Sequence, residues 1–313
     1  NVGLDRRDEQ WLARHCDRVI HCAAVVKFSS CGEASDVWKT NFGGTRQMLQ
    51  LCRRIGVRDF HYVSTAYVCG RRQGVIRESE LAMGQSFRND YERSKYEAES
   101  LLRADGFLDP ATIYRPAVIG GDSQTGYTNS YHGIYVYLRL LHSLLTNTAP
   151  DRQGRRFAPL RILLDGTERR NVVPLDWVCS VVCRLLDEPA ARGLTFHLAP
   201  PTPLTTGEFF DAAYRYFNAY GYEFCGKNRK LTGKVTSYEE AFLAYRTPYE
   251  QYELTDPVFD RSNLNRLAAD LVCPQIDAEV IRRYVRFAEL AAWGKRPLDA
   301  SLPSTAAPQQ RAA

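Results

Sequence analysis

Residues 17–26, DRVIHCAAVV, make an almost unbroken apolar run with no alternation of wet and dry positions. Such a run is predicted as a strand buried on both faces, which places it in a parallel sheet covered by helices on each side. The segments that follow keep to that architecture. Residues 35–55 have helical periodicity, GVRDFHYVSTAYV (56–68) is β-rich, and NDYERSKYEAESLLRA (89–104) is a charged helix with Asn89 or Asp90 as its N-cap. PATIYRPAV (110–118) returns to strand. This β–α–β–α–β rhythm predicts an α/β fold, a Rossmann-like doubly wound parallel sheet.

Later segments predict a helix near 130–146, a strand at LRILLDG, and a strand running through Pro174 into a helix begun by Asp176. A strand over 193–200 and a helix in TTGEFFDAAYRYFNAYG come next. Residues 222–260 are tyrosine-rich and irregular, and 276–293 form a closing amphipathic helix. The small, polar, proline-containing stretch 296–313 is predicted to be disordered.

Composition narrows the function. A net charge of +5 and a pI near 8.7, without a run of lysine or arginine, do not describe a nucleic-acid-binding surface. No apolar stretch reaches the length of a membrane span. The nine cysteines contain no CxxC and have no histidine at zinc-ligand spacing, so no metal site is expected. They are predicted as buried free thiols of a cytoplasmic protein.

Tyr91 and Lys95 stand one helical turn apart. In a chain with 18 tyrosines that spacing alone carries little. The weight comes from its ordered neighbours: VIHCAAVVKF, WKTNFGGTRQML, FHYVSTAYVCG, NDYERSKYEAESLL and IYRPAVIGGDSQTGYT. The series resembles the extended short-chain dehydrogenase/reductase family. HCAAVVKF, RPAVIGGDSQTGYTN, NVVPLDWV and TFHLAPPTPLT make it most similar to the thioester-reductase and fatty-acyl-reductase branch. The resemblance covers residues 3 to about 220.

It implies that Tyr91 is the acid/base tyrosine, Lys95 its partner on the nicotinamide ribose, and Thr65 the hydroxyl that holds the substrate carbonyl, with Ser64 as the adjacent alternative. A phenol titrates near 10, and a neighbouring ammonium favours its ionised form. Asn41 matches the asparagine of an N-x-x-GT block. Ala23 and Ala24 match small residues beside the dinucleotide, and Pro116 through Val118 match the segment at the carboxamide. Gly126, Tyr127 and Thr128, with Asn171 and Asp176, match loops at the substrate cleft. Arg115 and His21 read as structural. The implied division is a dinucleotide-binding part, 1–118 and 171–200, and a smaller substrate-binding part, 119–170 and 201–295.

The implied reaction is NAD(P)H-dependent reduction of an acyl thioester, carried by coenzyme A or an acyl carrier protein, to an aldehyde; NADPH is the usual donor in the branch. A nucleotide-sugar epimerase or dehydratase, a hydroxysteroid-type dehydrogenase and a non-catalytic relative are the alternatives. The family's opening glycine turn, TGxxGFLG, does not occur in this sequence. About two βα units are missing relative to the family. Loss of an N-terminal piece, completion by another chain, and a non-catalytic relic are the three explanations, the first favoured. On that reading the isolated 313 residues would expose a sheet edge, dissolve poorly and bind the dinucleotide weakly.

Overall fold

The computed structural model describes residues 2–28, 32–227, 231–246, 251–252 and 254–296. The segment 297–313, expected to be disordered, lies outside the described residues. The chain runs from helix α1 (Arg6–His15) to strand β1 (Arg18–His21), then through α2 (Asp36–Trp38) and α3 (Thr45–Ile55) to β2 (Asp59–Val63). A π-helical turn, Lys39–Gly44, joins α2 to α3. After the short β3 (Val75–Ile76) come α4 (Asp90–Arg103), β4 (Thr112–Pro116) and β5 (Val118–Ile119). The Asn89 side chain caps α4 by accepting from the Glu92 amide at 3.0 Å, and the acidic first turn and Arg103 in the last suit the helix dipole.

The second half contains α5 (Ile134–Thr146), β6 (Arg156–Ile162), β7 (Arg169–Arg170), β8 (Val172–Val173), α6 (Leu175–Leu186) and β9 (Thr195–Leu198). It continues with β10 (Leu204–Thr205), α7 (Thr206–Tyr216), β11 (Ala219–Phe224), α8 (Ser237–Arg246), β12 (Val258–Phe259), α9 (Ser262–Leu267) and α10 (Ala278–Leu290). No helix among the described residues is long and apolar enough to cross a membrane.

Strands β1, β2, β4 and β9 form a parallel sheet in that order, with β1 at one edge. Alternate residues of one strand serve opposite cores, as the two-residue period requires. Ile113 packs with Phe60, Tyr62, Leu49, Ala98 and Leu102 under α3 and α4, whereas Tyr114 packs with Phe196, Trp177, Val181 and Leu264 under α6 and α9. Both faces are thus covered, and the sheet is doubly wound. A separate apolar cluster joins α5, the β6–β11 pair, α7 and α10 through Leu138, Leu141, Leu160, Phe210, Ile281 and Tyr284.

Three sequence expectations change. The segment 222–260, expected to be irregular, carries the end of β11, helix α8 and strand β12. The run 17–26 is a strand only to His21, and 22–28 has no regular structure. There the Asn41 side chain substitutes for a strand partner: its carbonyl oxygen accepts from the Val25 amide at 2.8 Å and its amide donates to the Val25 carbonyl at 3.1 Å. The thiols are also less buried than expected. Cys52, Cys69 and Cys273 are buried, but Cys22, Cys179 and Cys183 are exposed, the last two on the side of α6 opposite Trp177, Val178 and Val181.

Gly126 ties the 120s loop to α10. Its φ is +77°, and a Cβ there would lie 2.2 Å from the Arg283 carbonyl oxygen. Gly126→Ala is therefore expected to cost about 2–4 kcal/mol, strain and overlap together. Gly154 has the same φ, but a Cβ there would meet only the Asn218 side-chain nitrogen at an ordinary 3.8 Å, so Gly154→Ala is expected to cost only ~1 kcal/mol. Urea unfolding of the two variants checks the difference; equal costs would contradict the packing account.

Candidate active site

The carboxyl ends of the parallel strands open onto one cavity of about 470 Å³. This is where open α/β sheets bind ligands, because the turns leaving the strands diverge there. Cys22 and Ala24 follow β1, Ser64 and Thr65 follow β2, and Ala117 and Val118 follow β4; all six line it.

Strand β2 ends where the Ser64 amide donates to the Tyr114 carbonyl at 2.7 Å. Thr65, extended at φ −149°, then caps a single 3-10 turn over 66–69 by accepting from the Tyr67 amide, and its hydroxyl points to the Pro116 carbonyl at 3.5 Å. Facing it, α4 presents Tyr91 and Lys95 to the same cavity. Burial pushes the Tyr91 phenol up to about 12, with the Thr65 hydroxyl acting in the opposite direction. The Phe28 ring meets the Tyr91 ring edge-on at 5.8 Å.

Lys95 is 1% exposed. Its Nζ donates to the Val63 carbonyl at 2.7 Å and lies 4.0 Å from the centre of the Tyr62 ring. Burial brings its pKa down from 10.5 to about 7, with the charge of Glu99 and that of Cys22 opposing. Beneath it Glu99 is fully buried. Burial works against that carboxylate, but Arg115, helped by Arg103, holds its pKa below the usual value.

Not every residue marked out in the sequence reaches the cavity. Thr65, Tyr91, Lys95, Ser64, Ala24, Pro116, Val118 and Thr128 line it. Ala23 is exposed to its side. Asn41, fully buried, works at one remove by linking Val25 to the Ser94 hydroxyl. Gly126 packs on α10, and Tyr127 sits edge-on against Phe287. Asp176 accepts from the Ser123 amide and hydroxyl, and Asn171 donates to the Pro257 carbonyl. His21 bonds Thr45 at 3.0 Å, and burial lowers its pKa to about 4, so it is neutral. Arg115 is buried against Glu99.

The rest of the wall comes mostly from the segments expected to bind substrate, 119–170 and 201–295, in which sequence reasoning singled out none of these residues. Leu164, Leu204, Phe209, Phe210 and Phe242 make it apolar, and Tyr67, Arg170 and Asp256 add polar groups. The Tyr67 hydroxyl donates to Asp256 at 2.9 Å. Only Glu99 had a local signal, an acid one turn beyond Lys95 on the buried face of α4.

The protonation of Lys95 has a consequence for stability. The folded chain releases this proton near pH 7 and the unfolded chain near 10.5. Between these values the unfolded state holds more protons, so the contribution of Lys95 to stability rises with pH; below 7 the cost of the buried ammonium is present in full. Lys95→Met is expected to gain on the wild type most at acid pH, with the gain shrinking from pH 7 to 10.5. Melting temperatures of both proteins across this range test it, and a constant difference would count against it.

Three comparisons place this geometry. The glycine betaine reductase ATRR of Emericella nidulans is 23% identical over 313 residues, covering 94% of this chain; the chain spans only 23% of that protein's length. The terminal R domain from the myxalamid PKS-NRPS biosynthetic pathway superposes with a TM-score of 0.71 at 25% identity, over 95% of this chain and 74% of that one. A thiolation-reductase di-domain from an archaeal non-ribosomal peptide synthetase shares the fold, with a TM-score of 0.65 at 16% identity over 92% and 61% of the two chains. The family model described as male sterility protein, an NAD-binding family, matches residues 1–182. With more than half of its length matched by that model, and with its parallel sheet opening onto the Thr65–Tyr91–Lys95 cavity, the chain belongs to the male sterility protein family of NAD-binding domains.

Proposed function

We propose that the protein is an NAD(P)H-dependent reductase that converts an acyl thioester, on coenzyme A or a carrier protein, to an aldehyde. The observation that carries this reading is the meeting of Thr65, Tyr91 and Lys95 on one side of a cavity whose other side is apolar and aromatic. The division into a dinucleotide-binding part (1–118, 171–200) and a substrate-binding part (119–170, 201–295) belongs to the same proposal. The reductases among its relatives support it, and the synthetase di-domain supports a carrier-borne substrate.

The nicotinamide end of a dinucleotide fits what is present. Ala24, the Lys95 ammonium and the Pro116–Val118 segment border the cavity, and Ala23, the preceding residue, is exposed. When bound, the dinucleotide supplies a hydride to the carbonyl carbon. Thr65 and Tyr91 hold the carbonyl oxygen, and Tyr91 gives it a proton as negative charge develops there. In the resulting hemithioacetal the hydroxyl loses its proton, the C–S bond breaks, and aldehyde and thiol are released. Lys95, when charged, orients the ribose hydroxyls and makes Tyr91 the stronger acid. Ser64 turns its hydroxyl to Glu99 at 2.8 Å, so Thr65 holds the carbonyl. Asn41 steadies the Val25 backbone along which the dinucleotide would lie.

Thr128, the cleft-loop residue that lines the cavity, and the aromatic wall receive the acyl group, with Gly126 and Tyr127 shaping the loop behind it. The test is oxidation of NADPH and NADH by the full-length protein, as its gene encodes it, with acyl-CoA and acyl-pantetheine. Aldehyde and thiol are expected in equal amounts. Tyr91→Phe is expected to lower kcat by ~10²–10⁴, and Thr65→Val by ~10² or more. No aldehyde, with turnover of a nucleotide sugar instead, would overturn the proposal.

A further inference from the structure

Glu99 is a fully buried carboxylate that bonds Ser64, next to Thr65, from the helix that carries Tyr91 and Lys95, without lining the cavity itself. Resting on the reductase reading of Thr65, Tyr91 and Lys95, we infer that Glu99 is a positioning residue: it sets the register of Thr65 against Tyr91 and supplies the counter-charge for the Lys95 ammonium.

The geometry is a double grip. Lys95 and Glu99 stand one turn apart on α4, and they hold consecutive residues at the end of β2. Lys95 Nζ donates to the Val63 carbonyl at 2.7 Å, and the Ser64 hydroxyl donates to Glu99 Oε2 at 2.8 Å. Thr65 is the next residue, so its displacement along α4 is limited by two bonds from the helix that carries Tyr91. Glu99 is itself immobilised. Arg115 donates to it through Nε at 3.1 Å and Nη2 at 2.6 Å, and Arg103 through Nε at 3.1 Å and Nη2 at 2.8 Å. Arg115, fully buried on β4, lies 3.3 Å from His197 Nε2 on β9, so the brace reaches across the sheet.

The charges around Lys95 show why the carboxylate is needed. His21, at the end of β1, is neutral, and Cys22 follows it; β2 offers the Tyr62 ring and the Val63 carbonyl. From α4 come Tyr91 and Glu99, and Arg115 of β4 and Arg103 of α4 stand behind Glu99. Three cations therefore share one buried carboxylate. Replacing it with an amide leaves them without their shared counter-charge and favours the neutral amine at Lys95. A buried ion-pair cluster that served only to hold the fold would not tie Lys95 titration to catalysis.

Three variants of the full-length protein separate the roles. In Glu99→Gln the alkaline limb of kcat/KM for the dinucleotide is expected to move to lower pH by about one unit. Arg103→Gln, at a half-exposed position, removes a cation and is expected to move it upward, by roughly half a unit. Ser64→Ala leaves the charges intact and loosens the grip; it is expected to lower kcat ~10- to 100-fold with the pH midpoint unmoved. Lysine side-chain NMR, reading Lys95 directly, is expected to follow the first two shifts.

A wild type inactive on every acyl thioester would defeat the reductase reading alone, because the NMR titration still reports on Glu99. Lower melting temperatures with unchanged Lys95 titration in Glu99→Gln and Arg103→Gln would overturn the inference. If Glu99→Gln does not fold, Arg103→Gln decides the charge role and Ser64→Ala the register: no upward shift, or an unchanged kcat, overturns the corresponding part.

Discussion

An ammonium removed from water and bonded to the end of a strand is the constraint on which the site depends. Lys95 has the Val63 carbonyl and the face of Tyr62 in place of a hydration shell. An isolated charge in such surroundings costs many kcal/mol and instead loses its proton. Its pKa near 7 is the compromise between that cost and the field of Glu99. The helix, the strand end and the carboxylate have to be in place together for Lys95 to titrate near neutrality, and the same contacts bring Tyr91 and Thr65 to one cavity.

The rest of the architecture serves that junction. The parallel sheet supplies strand ends that open on one side, and α3, α4, α6 and α9 seal its two faces. The second apolar cluster contributes Phe209, Phe210 and Phe242 to the opposite wall. A polar centre with an apolar far side suits a reaction in which charge develops at one oxygen while the remainder of the substrate is excluded from water. Asn41 adds a different kind of support. By taking both hydrogen bonds of Val25 it holds a segment open as irregular backbone where a strand partner would have closed it.

Legibility in the sequence followed the range of the interaction. The N-cap at Asn89, the Tyr91–Lys95 spacing and the helix 90–103 depend on residues within one or two turns, and they could be read along the chain. The end of β1 could not. An apolar run through Val26 carries no mark that its partner strand stops pairing, or that Asn41 will take its place. The surface position of Cys179 and Cys183 was hidden too, because helical spacing shows that two residues share a face but not which face is buried. Phe242 reaches the cavity wall from α8 and Asp256 from the loop before β12, in a tyrosine-rich stretch whose helix could not be read along the chain.

The sequence by itself determined the main strands and helices of the parallel sheet and their order, because strand and helix periods, caps and breakers act between near neighbours. It also placed Tyr91 and Lys95 on one helical face, since four residues make about one turn. Only the tertiary structure decided the electrostatics of that pair. Whether Lys95 is a solvated ammonium or a buried base near neutrality depends on Tyr62, Val63, Glu99 and Arg115. Three of these lie on other strands or loops of the fold, and the dielectric and field they create exist only once the sheet is assembled.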